Sequence, residues 1–164
     1  LLRIVFEELK NRYSVDVVHA ELMLSKIFRS EDGEYIYKIL KSFWDKEYLY
    51  SSCLLVPFIE SSIREIFRLS KVSFLKSNGT GGYDVVSLNK MLEHGVIKKV
   101  YGDWGGDVEY YLKALLVEKI GWNLRNDFAH GINKGQFMNE DVANRLMHVL
   151  FCLSLLKFNI TKNS

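Results

Sequence analysis

The sequence predicts an all-α helical bundle, and three observations support that fold class. Apolar residues recur three and four positions apart along almost the whole chain, which is the spacing of one face of an α-helix. The 164 residues include a single proline, Pro57, so long helices can form with few interruptions. The composition, 48% hydrophobic and 26% charged, is typical of a globular domain large enough to bury a core.

Residues 1–46 are expected to form N-terminal helices that precede the main bundle. Their predicted bounds are residues 1–11, 17–28 and 35–44, and the first two end at short polar stretches. Because the chain begins with Leu1, already inside an apolar-periodic run, we expect this part to be the end of a longer polypeptide.

Residues 47–164 are expected to form the bundle itself, beginning with a long helix from Tyr48 to Leu69. Pro57 lies in the middle of that helix, where it lacks a backbone donor and clashes one turn back, so we expect a kink. Residues 77–83 are rich in glycine and predict a mobile connector. No Lys-Ser or Lys-Thr follows these glycines, which argues against a phosphate-binding loop.

Further helices are predicted after the connector, and Gly121 and Gly131 are expected to end two of them. Their predicted bounds are residues 87–94, 107–120 with Asp107 as the cap, 124–130, and a final helix that starts at Asn139 or Asp141 and ends near Phe158. The helices at 48–69 and 141–158 are expected to pack on the helix at 107–120, because these three carry the strongest apolar stripes.

Composition and cysteine usage predict a cytoplasmic protein without a metal or another cofactor. Cys53 and Cys152 lie inside apolar runs and are interpreted as small buried hydrophobes, which fits a reducing compartment. His19, His94 and His148 share no ligand spacing with one another or with a cysteine, so no metal site is assigned. The longest apolar stretch is about half a membrane span, so no membrane contact is expected. The net charge of +2 does not by itself indicate nucleic-acid binding.

One heptapeptide, RNDFAHG at residues 125–131, carries a chemical signal. It resembles the motif of the HEPN superfamily (higher eukaryotes and prokaryotes nucleotide-binding domains), in which four to six residues separate an arginine from a histidine and the residue after the arginine is polar. More narrowly, it resembles an uncharacterised domain family defined by an RNxxxHG signature. The same family is similar in two flanking features, namely a helix that carries Pro57, Glu60 and Arg64, and the run LKALLVEKIGWNLRNDFAHG. The resemblance covers about residues 50–160 and implies a HEPN-like helical bundle with additional N-terminal helices.

The residue types of this motif suit metal-independent cleavage of RNA. Such a reaction needs a base for the 2′-hydroxyl proton and a cation for the charge that develops on phosphorus. His130 suits the first task near neutral pH, and the guanidinium of Arg125 suits the second. The resemblance implies that Asn126 orients one of them, and that the products are a 2′,3′-cyclic phosphate and a 5′-hydroxyl.

The spacing of the motif also predicts a homodimer. Arg125 and His130 are five positions apart, which is about 140° around an α-helix, so one helix face does not bring both groups together. Two copies of the motif that face each other would compensate for this separation. The resemblance implies such a paired cleft, with RNA as the partner.

Each motif residue also has a purely structural interpretation. Arg125 could pair with Glu60 or Asp127, Asn126 could cap a helix, and His130 could lie at a helix C-terminus.

The flanking residues are open to the same two interpretations. Glu60 and Arg64, one turn apart on one helix, either orient the motif or form an ordinary ion pair. Asp127 and Gly131 are assigned only supporting roles. The alternative function is therefore a non-catalytic helical interaction domain of a larger protein, in which the motif is a buried structural network.

Overall fold

Nine α-helices and one small hairpin make up residues 1–131 and 138–156, the part of the chain that the computed structural model describes. The helices are α1 (Leu2–Arg12), α2 (Val15–Leu22), α3 (Gly33–Trp44), α4 (Tyr48–Leu69), α5 (Leu88–Glu93), α6 (Val96–Tyr101), α7 (Gly105–Leu116), α8 (Leu124–Ala129) and α9 (Glu140–Ser154). The hairpin pairs β1 (Leu75–Ser77) with β2 (Tyr83–Val85). The predicted all-α class is confirmed. Within these residues, no helix combines the length and the apolar character that a bilayer-spanning segment requires.

Helix α2 is shorter than the predicted second helix. The hydroxyl of Ser14 accepts a hydrogen bond from the backbone N–H of Val17 and caps its start. The helix ends at Leu22, yet Ile27 and Phe28 beyond it are still buried. The hydroxyl of Ser25 accepts a hydrogen bond from the backbone N–H of Ile27, and this local bond competes with the backbone hydrogen bonds that would continue the helix. The apolar spacing here belongs to an irregular segment that turns its side chains into the core.

Helix α4 is the central element of the bundle, because it packs against both α3 and α9. It continues through Pro57, which lies on its exposed side, where water can replace the missing backbone donor. Ile59, Ile63 and Ile66 are fully buried. The kink at Pro57 stays a prediction.

The predicted connector at 77–83 is the turn of the hairpin rather than a plain loop. Its strands are antiparallel, with Leu75 opposite Val85. The side-chain oxygen of Asn78 accepts hydrogen bonds from the backbone N–H groups of Thr80 and Gly82 and closes the turn. Both strands are exposed along their whole length, so the hairpin lies outside the core.

Helix α7 differs from its prediction at both ends. It begins at Gly105 after a short 3₁₀ turn, so Asp107 lies in its first turn and is not its cap. It ends at Leu116, and Ile120 beyond it is 100% exposed. Helix α6 was not predicted. It has only six residues, which are too few to repeat an apolar helix face.

The predicted packing on the helix at 107–120 is wrong. Helices α4 and α9 pack against each other, and α7 packs chiefly against α6. Helix α7 reaches α9 through Tyr111, whose hydroxyl donates to the backbone carbonyl of Arg145 at 3.3 Å. The shorter α7 buries three leucines and also contacts α5 and α8, so it lies at one side of the bundle and does not form the centre.

Helix α9 begins where one of the two predicted caps places it. The side chain of Asn139 accepts a hydrogen bond from the N–H of Val142, so Asn139 and not Asp141 is the cap. The helix ends at Ser154, and the predicted end near Phe158 lies outside the described residues. The buried core draws side chains from both predicted parts of the chain, including Phe6 and Ile36 from the first part.

The close crossing of α6 and α7 generates a stability prediction. A Cβ atom built on Gly105 would lie 2.0 Å from the backbone carbonyl oxygen of Lys98, whereas one on Gly106 meets nothing within 4 Å. We expect Gly105→Ala to lower the free energy of unfolding by about 2 kcal/mol or more, because two backbones must separate. The matched Gly106→Ala variant should raise it by about 0.5–1 kcal/mol through helix propensity. Urea denaturation of both variants measures this, and equal effects would contradict the crossing.

Candidate functional site

Helices α8 and α4 bring Arg125 and Glu60 together, although 65 positions separate them in the chain. The Nε of Arg125 donates to Oε2 of Glu60 at 2.8 Å, and its Nη2 donates to Oε1 at 3.3 Å. Glu60 is 8% exposed, so this carboxylate is largely removed from water. A buried carboxylate that accepts two charge-assisted hydrogen bonds holds α8 against the middle of α4.

Glu60 serves a second guanidinium at the same time. Arg64, one turn further along α4, donates to Oε1 of Glu60. Burial by itself raises the pKa of Glu60, but the hydrogen bonds and positive charges of Arg125 and Arg64 outweigh burial and hold that pKa below its ordinary value. The hydrogen bond to Glu60 raises the pKa of Arg125 in turn. The three side chains together carry one net positive charge.

Asn126 extends this network along α8. Its Oδ1 accepts from Nη1 of Arg125 at 3.3 Å, and its Nδ2 donates to Oδ1 of Asn123 at 2.8 Å. Asn123 also donates to Asp127 at 2.8 Å, so Asp127 is bound to Asn123 and not to Arg125. The cap position of α8 belongs to Asn123, so the structural interpretation of Asn126 as a cap is wrong.

Asn123 is the network residue that sequence reasoning missed. It adopts the left-handed conformation, with φ of 50°, which asparagine tolerates better than most residues. An asparagine three and four positions before two polar residues was the signal that could have identified it, because that spacing puts all three on one helix face.

His130 lies apart from the network, at the C-terminal end of α8. It is the residue after the last helical position, and Gly131 follows with φ of 64°, as the predicted helix-ending glycine. Its backbone N–H donates to the carbonyl of Asn126 at 3.0 Å, and its side chain is exposed. Among the described residues, no hydrogen bond joins the imidazole to Arg125. The two motif residues therefore differ, because Arg125 is fixed by Glu60 whereas the side chain of His130 is exposed to solvent.

Arg125 keeps part of its hydrogen-bonding capacity. A guanidinium has five N–H donors, and three of them are used by Glu60 and Asn126. Two donors are left without a partner among the described residues, and 30% of the side chain is exposed. The arrangement can thus hold a guanidinium in a fixed orientation while it binds an oxyanion.

A second polar cluster contradicts the expectation that His148 shares no spacing with a cysteine. His148 and Cys152 lie one turn apart on α9, with 3.6 Å between Nε2 and Sγ, and Nδ1 lies 3.2 Å from the hydroxyl of Tyr111. Because Tyr111 donates to the carbonyl of Arg145, its oxygen accepts from Nδ1–H, which leaves Nε2 to accept the thiol proton. Burial lowers the pKa of His148 and raises that of Cys152, so it favours the neutral form of both groups.

The cysteines themselves are more exposed than predicted. Cys53 and Cys152 are both free and half-buried, so neither belongs to the fully buried core. No group of three or more His, Cys, Asp or Glu side chains within residues 1–131 and 138–156 has the geometry to hold a metal ion.

Comparison with known proteins returned no match for this chain among protein-family models, curated proteins or solved structures. The resemblance of RNDFAHG to the HEPN motif therefore stays a prediction. The case for a function depends on the contacts of Arg125, Glu60 and His130 themselves.

The shared carboxylate predicts a pH-dependent loss of stability. We expect Glu60→Gln to lower the free energy of unfolding by about 1–3 kcal/mol at pH 7, because two partly buried arginines lose their anion. The pKa of Glu60 is lowered by folding, so its contribution is complete above the unfolded glutamate pKa of about 4.3 and is lost as the pH falls through the folded value. Urea denaturation between pH 7 and pH 3 should show the two proteins converging.

Glu34→Gln is the matched control for this experiment. Glu34 also pairs with a cation four positions on, Lys38, but the carboxylate side chain is 81% exposed. Solvent-exposed pairs contribute little, so this variant should unfold at the same urea concentration as the parent at pH 7. A loss as large as that of Glu60→Gln would refute the special role of the buried carboxylate.

Proposed function

We propose that this chain is a HEPN-like domain that cleaves single-stranded RNA without a metal ion, as a homodimer in the cytoplasm. One observation carries the proposal. Helix α8 carries an arginine that a buried carboxylate orients, and this arginine keeps two N–H donors without a partner among the described residues. A solvent-exposed histidine follows the last residue of the same helix. These are the states in which a phosphate-binding cation and a proton-transfer group are useful.

The proposed chemistry assigns one task to each side chain. His130 accepts the proton of the 2′-hydroxyl, whose oxygen attacks the adjacent phosphorus. Arg125 donates hydrogen bonds to the non-bridging oxygens as their negative charge grows. The bond to the 5′-oxygen breaks and that oxygen takes a proton from water, while His130 returns the proton that it accepted to the solvent. The products are a 2′,3′-cyclic phosphate and a 5′-hydroxyl.

Glu60 is a positioning residue in this proposal. It fixes the plane of the Arg125 guanidinium, which would otherwise sample many rotamers. A carboxylate beside a phosphate site would repel the substrate, but Arg64 offsets the charge of Glu60. The net charge of the three groups stays positive, which favours binding of the phosphate over repulsion.

The proposal includes a second copy of the chain because, within one copy, no contact joins Arg125 to His130. A two-fold axis beside α8 would place the histidine of one protomer opposite the arginine of its partner. Closed two-fold dimers are the commonest homo-oligomers. The proposed site is therefore composite, with two equivalent clefts in each dimer.

The alternative, a non-catalytic helical interaction domain, is favoured by a different observation. The contact between Arg125 and Glu60 joins two helices, and hydrogen bonds through Asn126, Asn123 and Asp127 extend it along α8. A network of this kind needs no substrate to explain it. The two functions differ in what they require of the exposed His130.

Substitution of His130 separates the two functions. We expect His130→Ala to reduce cleavage of single-stranded RNA by about 10²–10⁴-fold, because the proton-transfer group is lost. The melting temperature should change little, because the side chain is exposed. The matched control is His94→Ala, since His94 is also an exposed histidine at the end of a six-residue helix. It should cleave like the parent.

RNA gels and thermal melts of the three proteins measure this. A substrate with a 2′-deoxy sugar at the cleavage position should resist the parent protein. If His130→Ala cleaves normally or unfolds several degrees earlier, the interaction-domain alternative is correct.

Mixing two inactive variants tests the composite cleft. Arg125→Lys keeps a cation for Glu60 but lacks the planar fork, so we expect it to fold and to cleave poorly. Mixed with His130→Ala and allowed to exchange subunits, it should regain about a quarter of the parental activity, because half the dimers are mixed and each has one intact cleft. Cleavage that stays absent although native mass spectrometry shows mixed dimers would place both groups in one protomer.

A further inference from the structure

A polar cavity of about 230 Å³ lies between α4 and the segment that joins α2 to α3. Three of the side chains that line it are arginines, and we call it the arginine pocket (Arg29, Arg64 and Arg68). Its volume is below the about 300–1,000 Å³ of most pockets for small molecules. The pocket therefore fits a small polar group rather than a large ligand.

Arg64 lines this pocket with most of its donors unused. One of its five N–H groups donates to Glu60, and the other four have no partner among the described residues. The Nε atom of Arg64 is buried, so bulk water does not satisfy that donor. A buried charged donor without a partner is unfavourable, and an acceptor atom in the adjacent pocket would relieve it. Arg64 therefore indicates a ligand that carries acceptor oxygens.

The other two arginines are held by carboxylates of the pocket wall. Asp32 accepts two hydrogen bonds from Arg29, at 3.1 and 3.3 Å, and Glu65 accepts two from Arg68. Each bidentate pair fixes the plane of its guanidinium and leaves further N–H donors. Glu31 also pairs with Arg29, but it is 68% exposed and lies outside the pocket lining, where solvent screens its charge. Among the described residues of the lining, three arginines exceed two carboxylates, which favours an anion.

We propose that the arginine pocket binds a phosphate group of the RNA, next to the phosphate that Arg125 binds. Oε1 of Glu60 accepts hydrogen bonds from Nη2 of Arg64 and from Nη2 of Arg125. Two donors that share one acceptor atom lie within about 6 Å of each other, so one strand can reach both guanidiniums. This inference rests on the proposed function and adds a second phosphate contact to its substrate.

Ser61 allows the pocket to be changed without breaking an ion pair. It is exposed and lines the pocket from α4, and its hydroxyl has no hydrogen bond among the described residues. Ser61→Glu would place a carboxylate where the phosphate is expected, whereas Ser61→Gln adds nearly the same bulk without the charge. Asn11 is exposed on α1 and does not line the pocket. Asn11→Glu therefore makes the same change of net charge elsewhere and is the matched control.

The test is RNA binding in the His130→Ala background, where the RNA stays intact. Fluorescence anisotropy with a labelled single-stranded RNA of about twelve nucleotides, at several salt concentrations, gives Kd and its salt dependence. We expect Ser61→Glu to weaken binding about tenfold, and Ser61→Gln and Asn11→Glu to weaken it less than about twofold. One phosphate contact of a single strand contributes about 0.7 to the slope of log K against log salt, so only Ser61→Glu should reduce that slope by about 0.7.

A second series locates the bound phosphate within the strand. Each RNA of the series carries one uncharged methylphosphonate linkage, at a different position. One position should exist at which Ser61→Glu no longer weakens binding, because the phosphate that met the pocket is already neutral. If Ser61→Glu fails to fold, Arg68→Gln takes its place with the same expected losses, because its side chain is 61% exposed.

The outcomes distinguish this inference from the proposed function. If RNA is bound and cleaved but Ser61→Glu keeps the parental Kd and salt slope, the pocket inference is wrong and the cleavage proposal stands. If neither the parent nor His130→Ala binds or cleaves RNA, the proposed function fails, and calorimetric titration with inorganic phosphate decides on the pocket. Binding that Ser61→Glu abolishes and Ser61→Gln retains would make free phosphate the source of the ligand. No binding of phosphate by the parent would overturn the pocket as well.

Discussion

The buried carboxylate of Glu60 is the constraint on which the arrangement of the site depends. A carboxylate that is removed from water is costly unless it is paired and hydrogen-bonded. Glu60 meets that condition only because Arg64 approaches along α4 and Arg125 approaches from α8. Helix α8 is too short to be stable alone, so its position comes from this pair and from the buried Leu124.

The same interaction makes the two ends of α8 differ in how firmly their side chains are held. The first turn of the helix is bound to α4, so Arg125 has a fixed orientation. At the C-terminal end Phe128 packs against the core, but among the described residues no comparable ion pair is present there, and the side chain of His130 is exposed. A strongly held group contributes to stability and an exposed one does not. The two ends of the motif therefore differ in what their loss would change, although only five positions separate them.

The sequence predicted the fold class and the pairing of Arg125 with Glu60 as one of two alternatives, but not the order of packing. Periodicity identifies α4 and α9 because long helices repeat their apolar face several times. It fails for the six-residue α6, and it overestimates α7 because apolar residues continue past the end at Leu116. The role of Asn123 depends on a left-handed residue and a three-member side-chain network, which no linear pattern of apolar residues contains.

Helix α8 ends before His130, so the 140° separation predicted for Arg125 and His130 does not describe the structure. That angle assumes a continuous helix from Arg125 to His130, but His130 has left the helical conformation, with φ of −94° and ψ of 2°. The two groups therefore differ in the contacts that hold their side chains, and not only in their angular position around the helix. Arg125 is turned towards Glu60 and α4, while His130 follows the chain as it leaves the helix through Gly131. A catalytic pair built this way needs a partner to define the position of the histidine, and the facing surface of a second copy or the bound RNA itself can supply it. The composite cleft stays a proposal, and its basis is now the exposed histidine that follows the last helical residue of α8.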